Sequence, residues 1–474
     1  MRSRIAGPAG LALLASVLLL EGAPSASAAG AGSGGPYQVK DFRVVSGPSP
    51  FAAGCPGPHD DQAITGHELE PAITVNPADP RNIVATWKQD VGPEQSRSDL
   101  VGSSLDGGRT WTRSTIPGLT RCTGGAADAG SDPWVSAGRD GIIYFTGLAA
   151  RLSTQPPHTA VVASHSRDGG RTWRAAVTVA PPLGGNEQPA VTGSPARAGR
   201  AYLAFANFLT PDTLPRTNTL EFSRTADGGA TWSSPVLIDQ PGQFAIDFAP
   251  KVVVLKDGTL LTVFGRADIE HGLGQIYAAR SADEGRTWQS PVLVGSRPIR
   301  PEITDETGAH LPDSAFPSTA VAPDGSVYVA IEDNTSARSG TIDLARSRDG
   351  GRTWTSAPLP GVSAFAFQPS IAVDSHGTIG VTWYDLRNDR PGDAALTADV
   401  WFAQSADRGA SWRQAHVAGP TNLRTAPLPA HNYVGEYQGL AALPGRGFAA
   451  IFTLAAPQAR NGPTDIFFAR IGPG

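Results

Sequence analysis

The chain has 474 residues, with 55 Gly, 41 Pro and 10 Trp, a profile of many short strands joined by tight turns rather than of a helical protein. Its formal net charge of −5 is spread along the sequence with no basic stripe, which excludes nucleic acid as an electrostatically attracted partner. Lys occurs only four times, as Lys40, Lys88, Lys251 and Lys256, and we read the dominance of Arg as the bias of a GC-rich genome.

At the N-terminus, Arg2 and Arg4 precede an apolar run at 11–20, and Ala26-Ser27-Ala28 supplies a small-residue cleavage site. Residues 1–28 therefore read as a secretory signal peptide, with an uncleaved anchor as the alternative, and residues 29–36 as a flexible linker. The apolar run is too short to span a bilayer, and no later segment competes with it. In an oxidising compartment Cys55 and Cys122 are expected to bridge, with two buried free thiols as the alternative.

From residue 37 onward the elements repeat. An extended segment at 37–45 comes first. A strand at 71–75, a turn at 76–81 and a strand at 82–87 follow, and then an eight-residue motif at 104–111, Ser/Thr-x-Asp-x-Gly-x-Thr/Ser-Trp. The motif returns at 166–173, 225–232, 281–288, 347–354 and 405–412. Its Asp residues are Asp106, Asp168, Asp227, Asp283, Asp349 and Asp407, spaced 56 to 66 positions apart, the period of arrayed supersecondary units. In such a turn Asp caps the backbone, Gly supplies positive φ, and Trp is an apolar wedge between sheets. Further strand pairs begin near Pro133, Pro189, Pro250, Pro317 and Pro369, with Gly and Asp at their turns. A seventh copy, with strands at 437–443, 448–453 and 465–471, has no such motif and no fourth strand. The segment 37–45 can supply that strand. The expected fold is an all-β single propeller over 37–474, with seven four-stranded blades. Its N-terminal strand closes the last blade and removes the open edges. A six-bladed ring with an extra hairpin pair is the alternative.

Strand alternation puts all six motifs on one face, as turns between third and fourth strands, so their Asp residues read as scaffold. Residues before the first strands and after the second strands converge on the other face, where ligands of ring-shaped folds bind. Cys55 and Cys122 also fall there. First strands start at Glu70, Asp132, Gln188 beside Glu187, Asp247, Asp313, Gln368 and Glu436. This ring of polar groups reads equally as a ligand site and as a solvated channel rim. Second strands end in Arg266, Asp268, Glu270 and His271, in Glu332 and Asp333, and in a stretch from Trp383 through Tyr384, Asp385 and Arg387 to Arg390. Arg can hold a carboxylate bidentately, and Tyr and Asp can act as nucleophile or acid. An inter-blade salt-bridge network is the alternative for the same residues.

Other patterns are set aside. Gly30-x-Gly32-x-x-Gly35 lies in the linker with no strand before it. No His-Glu-x-x-His or Cys-x-x-Cys spacing occurs, so neither a metal nor another cofactor is expected. His59, Asp60 and Asp61 read as a solvated loop before a cation site, and Asn334-Thr335-Ser336 is a glycosylation sequon.

The Asp-motifs and their blade pattern, from about Glu70 onward, resemble the sialidase superfamily of BNR/Asp-box propellers. The resemblance implies exo-acting hydrolysis of an acidic sugar without a cofactor. Sialidases use a Tyr nucleophile assisted by a Glu, an Asp acid/base, and three Arg that clamp the substrate carboxylate. Tyr437-Gln438-Gly439-Leu440 is similar to the family's Tyr-Ser-x-Leu, which implies Tyr437 as nucleophile. Glu332 resembles its Glu partner, Asp385 and Asp90 are the acid/base candidates, and Arg266 and Arg387 are the clamp. Glu436, Tyr384, Glu70 and Asp132 are expected around the substrate. The chain departs from the family at Phe42-Arg43-Val44-Val45, where Arg-Ile-Pro would stand, and at Trp87-Lys88, where an Arg is common. Sialidases also have six blades. The expected partner is a carbohydrate or glycoconjugate met by a secreted monomer. A non-catalytic propeller that binds glycan or protein through the same face, and a polysaccharide lyase, are the alternatives.

Overall fold

The computed structural model describes residues 37–56, 60–93, 96–152, 158–182, 185–208, 218–299, 303–312, 316–427 and 434–474. The expected signal peptide and linker, His59 and Asp313 lie outside the described residues. Among the described residues no helix is long and apolar enough to cross a membrane.

Strands come in runs of four that pair antiparallel in chain order. Glu68–Val75, Ile83–Val91, Ser96–Ser104 and Thr112–Thr115 form the first group. The second runs from Ala129–Ala137 to Val177–Ala180, and the third from Gly185–Gly193 to Val236–Asp239. The fourth runs from Ala245–Val254 to Val292–Pro298, the fifth from Ser318–Val321 to Thr355–Pro358, and the sixth from Ala366–Val373 to Arg413–Asn422. Only isolated pairs, Ser96 with Gly130 and Gly185 with Thr159, tie the first three groups into one path. The seventh group takes Gly439–Ala442, Phe448–Ala455 and Thr464–Pro473 from the C-terminal end. Its fourth strand is Tyr37–Val44, antiparallel to the last strand, with Tyr37 opposite Pro473 and Val44 opposite Phe467. This all-β, propeller-type architecture agrees with the strand pattern of the sequence, and the N-terminal segment closes the last sheet as expected. Cys55 and Cys122 are bonded to each other, with their Cα atoms 5.1 Å apart.

The Asp-boxes hold the turns between third and fourth strands. In the first, Asp106 Oδ1 accepts from Ser104 Oγ (2.8 Å), Arg109 N (3.0 Å) and Thr110 N (2.9 Å), and Oδ2 accepts from Thr110 Oγ1 (2.7 Å). Gly108 N donates to Ser104 Oγ at 2.8 Å, and Trp111 Nε1 donates to Gly108 O at 3.0 Å. The pattern recurs around Asp168, Asp283, Asp349 and Asp407. The hydrogen bonds from Thr110 and Thr287 hold Asp106 and Asp283 down to about 2.

With the turn held, its second glycine presses on the sheet before it. Gly108, Gly285 and Gly351 have φ of 92°, 80° and 85°. A Cβ there would stand 2.4 Å from Phe468, 2.1 Å from Phe222 and 2.7 Å from Leu261. Those contacts belong to the seventh, third and fourth groups, so each box docks its own sheet on its predecessor. The motif Trp follows, with Trp111 5.3 Å from Phe468 and Trp288 5.3 Å from Phe222 between ring centroids.

Gly285→Ala is therefore expected to cost roughly 3 kcal/mol, combining backbone strain with overpacking. Gly258→Ala, at a similar φ of 85° but with open space around it, should cost only about 1 kcal/mol in the same urea titration. Acid should act through the boxes. Their carboxylates are depressed in the folded state, so the stability they contribute is present above the unfolded value near 4 and is lost as pH falls toward 2. The melting temperature, followed by circular dichroism, should decline across that window.

Candidate functional site

The first strands share a backbone device. Glu70, Asp132, Gln188, Ala249 and Gln368 each precede a Pro and have φ between 50° and 57°. Strand pairing slips at each, as between Leu69 and Ala72 or Ser131 and Trp134. Pro cannot donate to the ladder and is placed in a bulge. A non-Gly residue at such φ costs roughly 1–3 kcal/mol. Hydrogen bonds between neighbouring groups offset that strain. Asp132 Oδ2 accepts from Gln188 N (3.0 Å), Gln188 Oε1 from Ala249 N (2.7 Å), and Glu332 Oε2 from Gln368 N (2.8 Å).

The first strands of all seven groups, or residues just before them, line one cavity of about 250 Å³. Trp134, Phe316 and Tyr437 form its aromatic wall, and Lys251, Gln368 and Glu436 its polar one. Beside it gather Glu70, Lys88, Asp99, Asp132 and Glu187. Lys88 Nζ is 3.3 Å from Glu70 Oε1. Burial works against the Lys88 charge, but Glu70, Asp132 and Glu436 outweigh it and raise the ammonium above its ordinary value. Burial, then Glu70 and Asp132, push Glu436 up to about 8. Burial and the same crowding drive Glu187 well above the usual carboxylate range. Asp99 has no solvent exposure, neither of its carboxyl oxygens has a hydrogen-bond partner, and burial raises it strongly. The Tyr437 hydroxyl donates to Pro133 O at 3.1 Å, its ring centroid lies 5.4 Å from that of Trp134, and burial lifts the phenol well above 10. Lys251 Nζ stands 3.2 Å from the Trp134 ring centroid. The site is thus a confined cavity whose wall holds exchangeable protons at neutral pH, with ring faces on which a sugar could stack.

Of the residues expected from sequence, the structure brings Tyr437, Glu436, Glu70 and Asp132 together here. It places the others elsewhere. Asp90 is buried and accepts from Ser49 Oγ, Gly66 N, Gln89 Nε2 and Arg97 Nη1 at 2.6 to 3.0 Å, a structural knot rather than an exposed acid/base. Glu332 is buried and clasps the Gln368 backbone. Asp385 is buried under Arg387, whose Nε and Nη2 donate to it at 2.8 and 2.6 Å. Arg387 also lies 3.9 Å from the Trp401 ring centroid. Arg266 donates to Asp247 (Nη2 to Oδ2, 2.8 Å) and also to Asp239. Both arginines expected as a clamp are therefore occupied, Arg387 within its own group and Arg266 by its own group and the one before it. Tyr384 has no solvent exposure and exchanges hydrogen bonds with the Thr453 backbone, out of reach of a substrate. Asn334, of the sequon, is likewise buried and bonded to the Ala366 backbone.

Sequence reasoning missed Lys251, Trp134 and Asp99, and took Lys88 only as the place of an absent Arg. A signal was present: three of the four lysines of an Arg-rich chain sit inside strands, Lys88 and Lys251 among them.

With this geometry in view, the comparisons fall into place. Residues 165–359 match the family model described as a BNR repeat-like domain. Over that stretch the chain is similar to BNR repeat-like domains. No curated protein matches it. Among solved structures it is similar to a Dyadobacter fermentans protein of unknown function, with 11% identity over 93% of this chain and all of that one, at a TM-score of 0.51. A Hadza microbial sialidase shows 17% identity over 81% of this repeat protein and 75% of its own chain, at a TM-score of 0.47. The Penicillium chrysogenum alpha-L-arabinanase complexed with arabinobiose shows 15% identity over 91% and 98%, at 0.46. At 11% identity the likeness to the Dyadobacter fermentans protein is one of fold alone.

Arg266→Met should leave Asp247, which has no solvent exposure, without its counter-charge, at a cost of about 3 kcal/mol read as a lowered urea midpoint.

Proposed function

We propose that the chain is an exported, seven-bladed Asp-box propeller that works as a glycoside hydrolase on a neutral sugar. Support for the closed ring comes from the cavity, because first strands from all seven groups can face one space only if they surround it. Export rests on the N-terminal sequence, and a monomer is the simplest state for a sheet ring without open edges.

The observation that carries the activity is Glu436, a cavity-lining carboxyl that keeps its proton to about 8, next in sequence to Tyr437 and close to Glu70 and Asp132. Cleavage of a glycosidic bond needs a proton for the departing oxygen, and Glu436 is placed to give it. A carboxylate neighbour, Glu70 or Asp132, would take a proton from the attacking group. Tyr437 is the nucleophile that the sialidase resemblance suggests. Its raised phenol means that it would have to lose its proton as it attacks, not before. The sugar is read as neutral because Arg266 and Arg387 are spent on Asp247, Asp239 and Asp385, while five carboxyl groups face two ammonium groups around the mouth. An acidic sugar would meet that surplus unclamped.

The second reading, a non-catalytic glycan binder, is favoured by one feature. The Tyr437 hydroxyl is committed to the Pro133 carbonyl.

A panel of fluorogenic aryl glycosides, neutral and sialylated, separates these readings. Release is expected from a neutral member and not from the sialoside, with a rate that falls above pH 8 as Glu436 loses its proton. Glu436→Gln should lower kcat by about 100-fold or more. Binding on a glycan array without release from any member would instead establish the non-catalytic reading.

A further inference from the structure

Lys251 follows the bulge at Ala249 and lines the cavity, half-buried. Its surroundings differ from those of Lys88, which is tied to Glu70. Among the described residues no carboxylate or carbonyl lies within bonding distance of the Lys251 Nζ. It meets two ring faces, with Trp134 at 3.2 Å and Tyr437 at 5.5 Å from the centroids. An ammonium group carries three N–H donors and no lone pair. The ring faces attract the cation but offer its N–H donors no acceptor, whereas the free amine needs fewer acceptors and keeps a lone pair for the open space of the cavity.

The groups around it pull in both directions. Asp132 from the second group and Glu70 from the first favour the charged form, and Glu436 and Tyr437 of the seventh line the same cavity. Burial outweighs the carboxylates and brings the amine down to about 7. About half of the molecules then hold a nucleophilic amine at neutral pH, against fewer than about one in a thousand for an ordinary lysine.

We propose that Lys251 is a carbonyl-capture site, at which the amine condenses with a small aldehyde, such as the open-chain reducing end of a short sugar, to form an imine inside the cavity. The Nζ lone pair attacks the carbonyl carbon, and the C=O π pair moves to oxygen, which takes a proton. The nitrogen then loses one proton, hydroxide leaves with a proton as water while the nitrogen lone pair closes the C=N bond, and the nitrogen gives up its second proton to leave the imine. One amine and one aldehyde give one imine and one water, with no oxidant or reductant. Glu436 lines the same cavity and can lend and recover the proton. The aromatic wall limits the water that would reverse the reaction. This activity does not depend on whether the cavity cleaves glycosides.

The chain's four lysines supply the test without any variant. The protein is incubated at pH 7 with glycolaldehyde and sodium cyanoborohydride, which reduces each imine to a stable secondary amine, and the lysine peptides are quantified by mass spectrometry. Lys251 should be modified at least about 10-fold faster than Lys40 and Lys256, which are exposed, and that advantage should shrink as pH approaches 10. Unfolding the chain in urea should abolish the preference. Labelling of Lys251 no faster than Lys40 and Lys256 overturns the proposal, and so does a preference that survives unfolding.

Discussion

The structure depends on a carboxylate that is fully used by its own turn. In each Asp-box, backbone and hydroxyl donors engage both oxygens of one Asp, so the carboxylate is satisfied within its own loop. The apolar remainder of the motif, a glycine without a side chain and a tryptophan, is then free to seat against the sheet before it. A short local pattern thereby acts at long range. It sets the distance between neighbouring sheets, and repetition of that distance brings the first strands together around one cavity. The same saturation makes the boxes poor candidates for chemistry, because an oxygen that already accepts two or three hydrogen bonds has little to offer a ligand.

At the other end of the first strands the physical problem is reversed. Pro-containing bulges turn polar side chains inward, and two of these, Asp132 and Gln188, are absorbed in fastening the next sheet, as is Glu332 from a second strand. What remains is a crowd of carboxyl groups that cannot all be charged in a confined space. Lys88 neutralises part of it, and the rest is resolved by holding protons, with Glu436 nearest to neutrality. Lys251 is the complementary case, a base that burial inclines to give its proton up. Acids that keep protons and a base that lacks one are the ingredients of proton-transfer chemistry in a small volume.

The fold was legible because its determinants are local. An Asp, a glycine and a Trp within eight residues, and alternating strands between Pro and Gly, need no knowledge of distant partners. The missing fourth strand after residue 471 and the surplus strand at 37–45 pointed to each other by simple accounting. The site was legible only in part, because its chemistry is decided by which distant side chains meet. Arg266 is a reasonable clamp until Asp239 and Asp247 are seen to take its donors. The stretch around Asp385 read both as a ligand site and as a salt-bridge network, because nothing local shows that Arg387 folds back on its own neighbour. Asn334 satisfies the sequon rule while lying in a buried strand. The clearest loss was Lys251. The scarcity of lysine was taken as genome bias, and the same scarcity made the two buried lysines conspicuous.

Closure of the last sheet by Tyr37–Val44 also has a consequence in time. This strand is among the first parts of the folded region to be synthesised, yet its partner, Thr464–Pro473, is the last. Nearly all of the strands between the two must be made before the joint can form. Until then the nascent chain carries two unsatisfied sheet edges, one at each end, and either can pair with a stranger. Assembly of such a molecule is set by the wait for its own tail, a delay during which the two edges need protection from one another's copies.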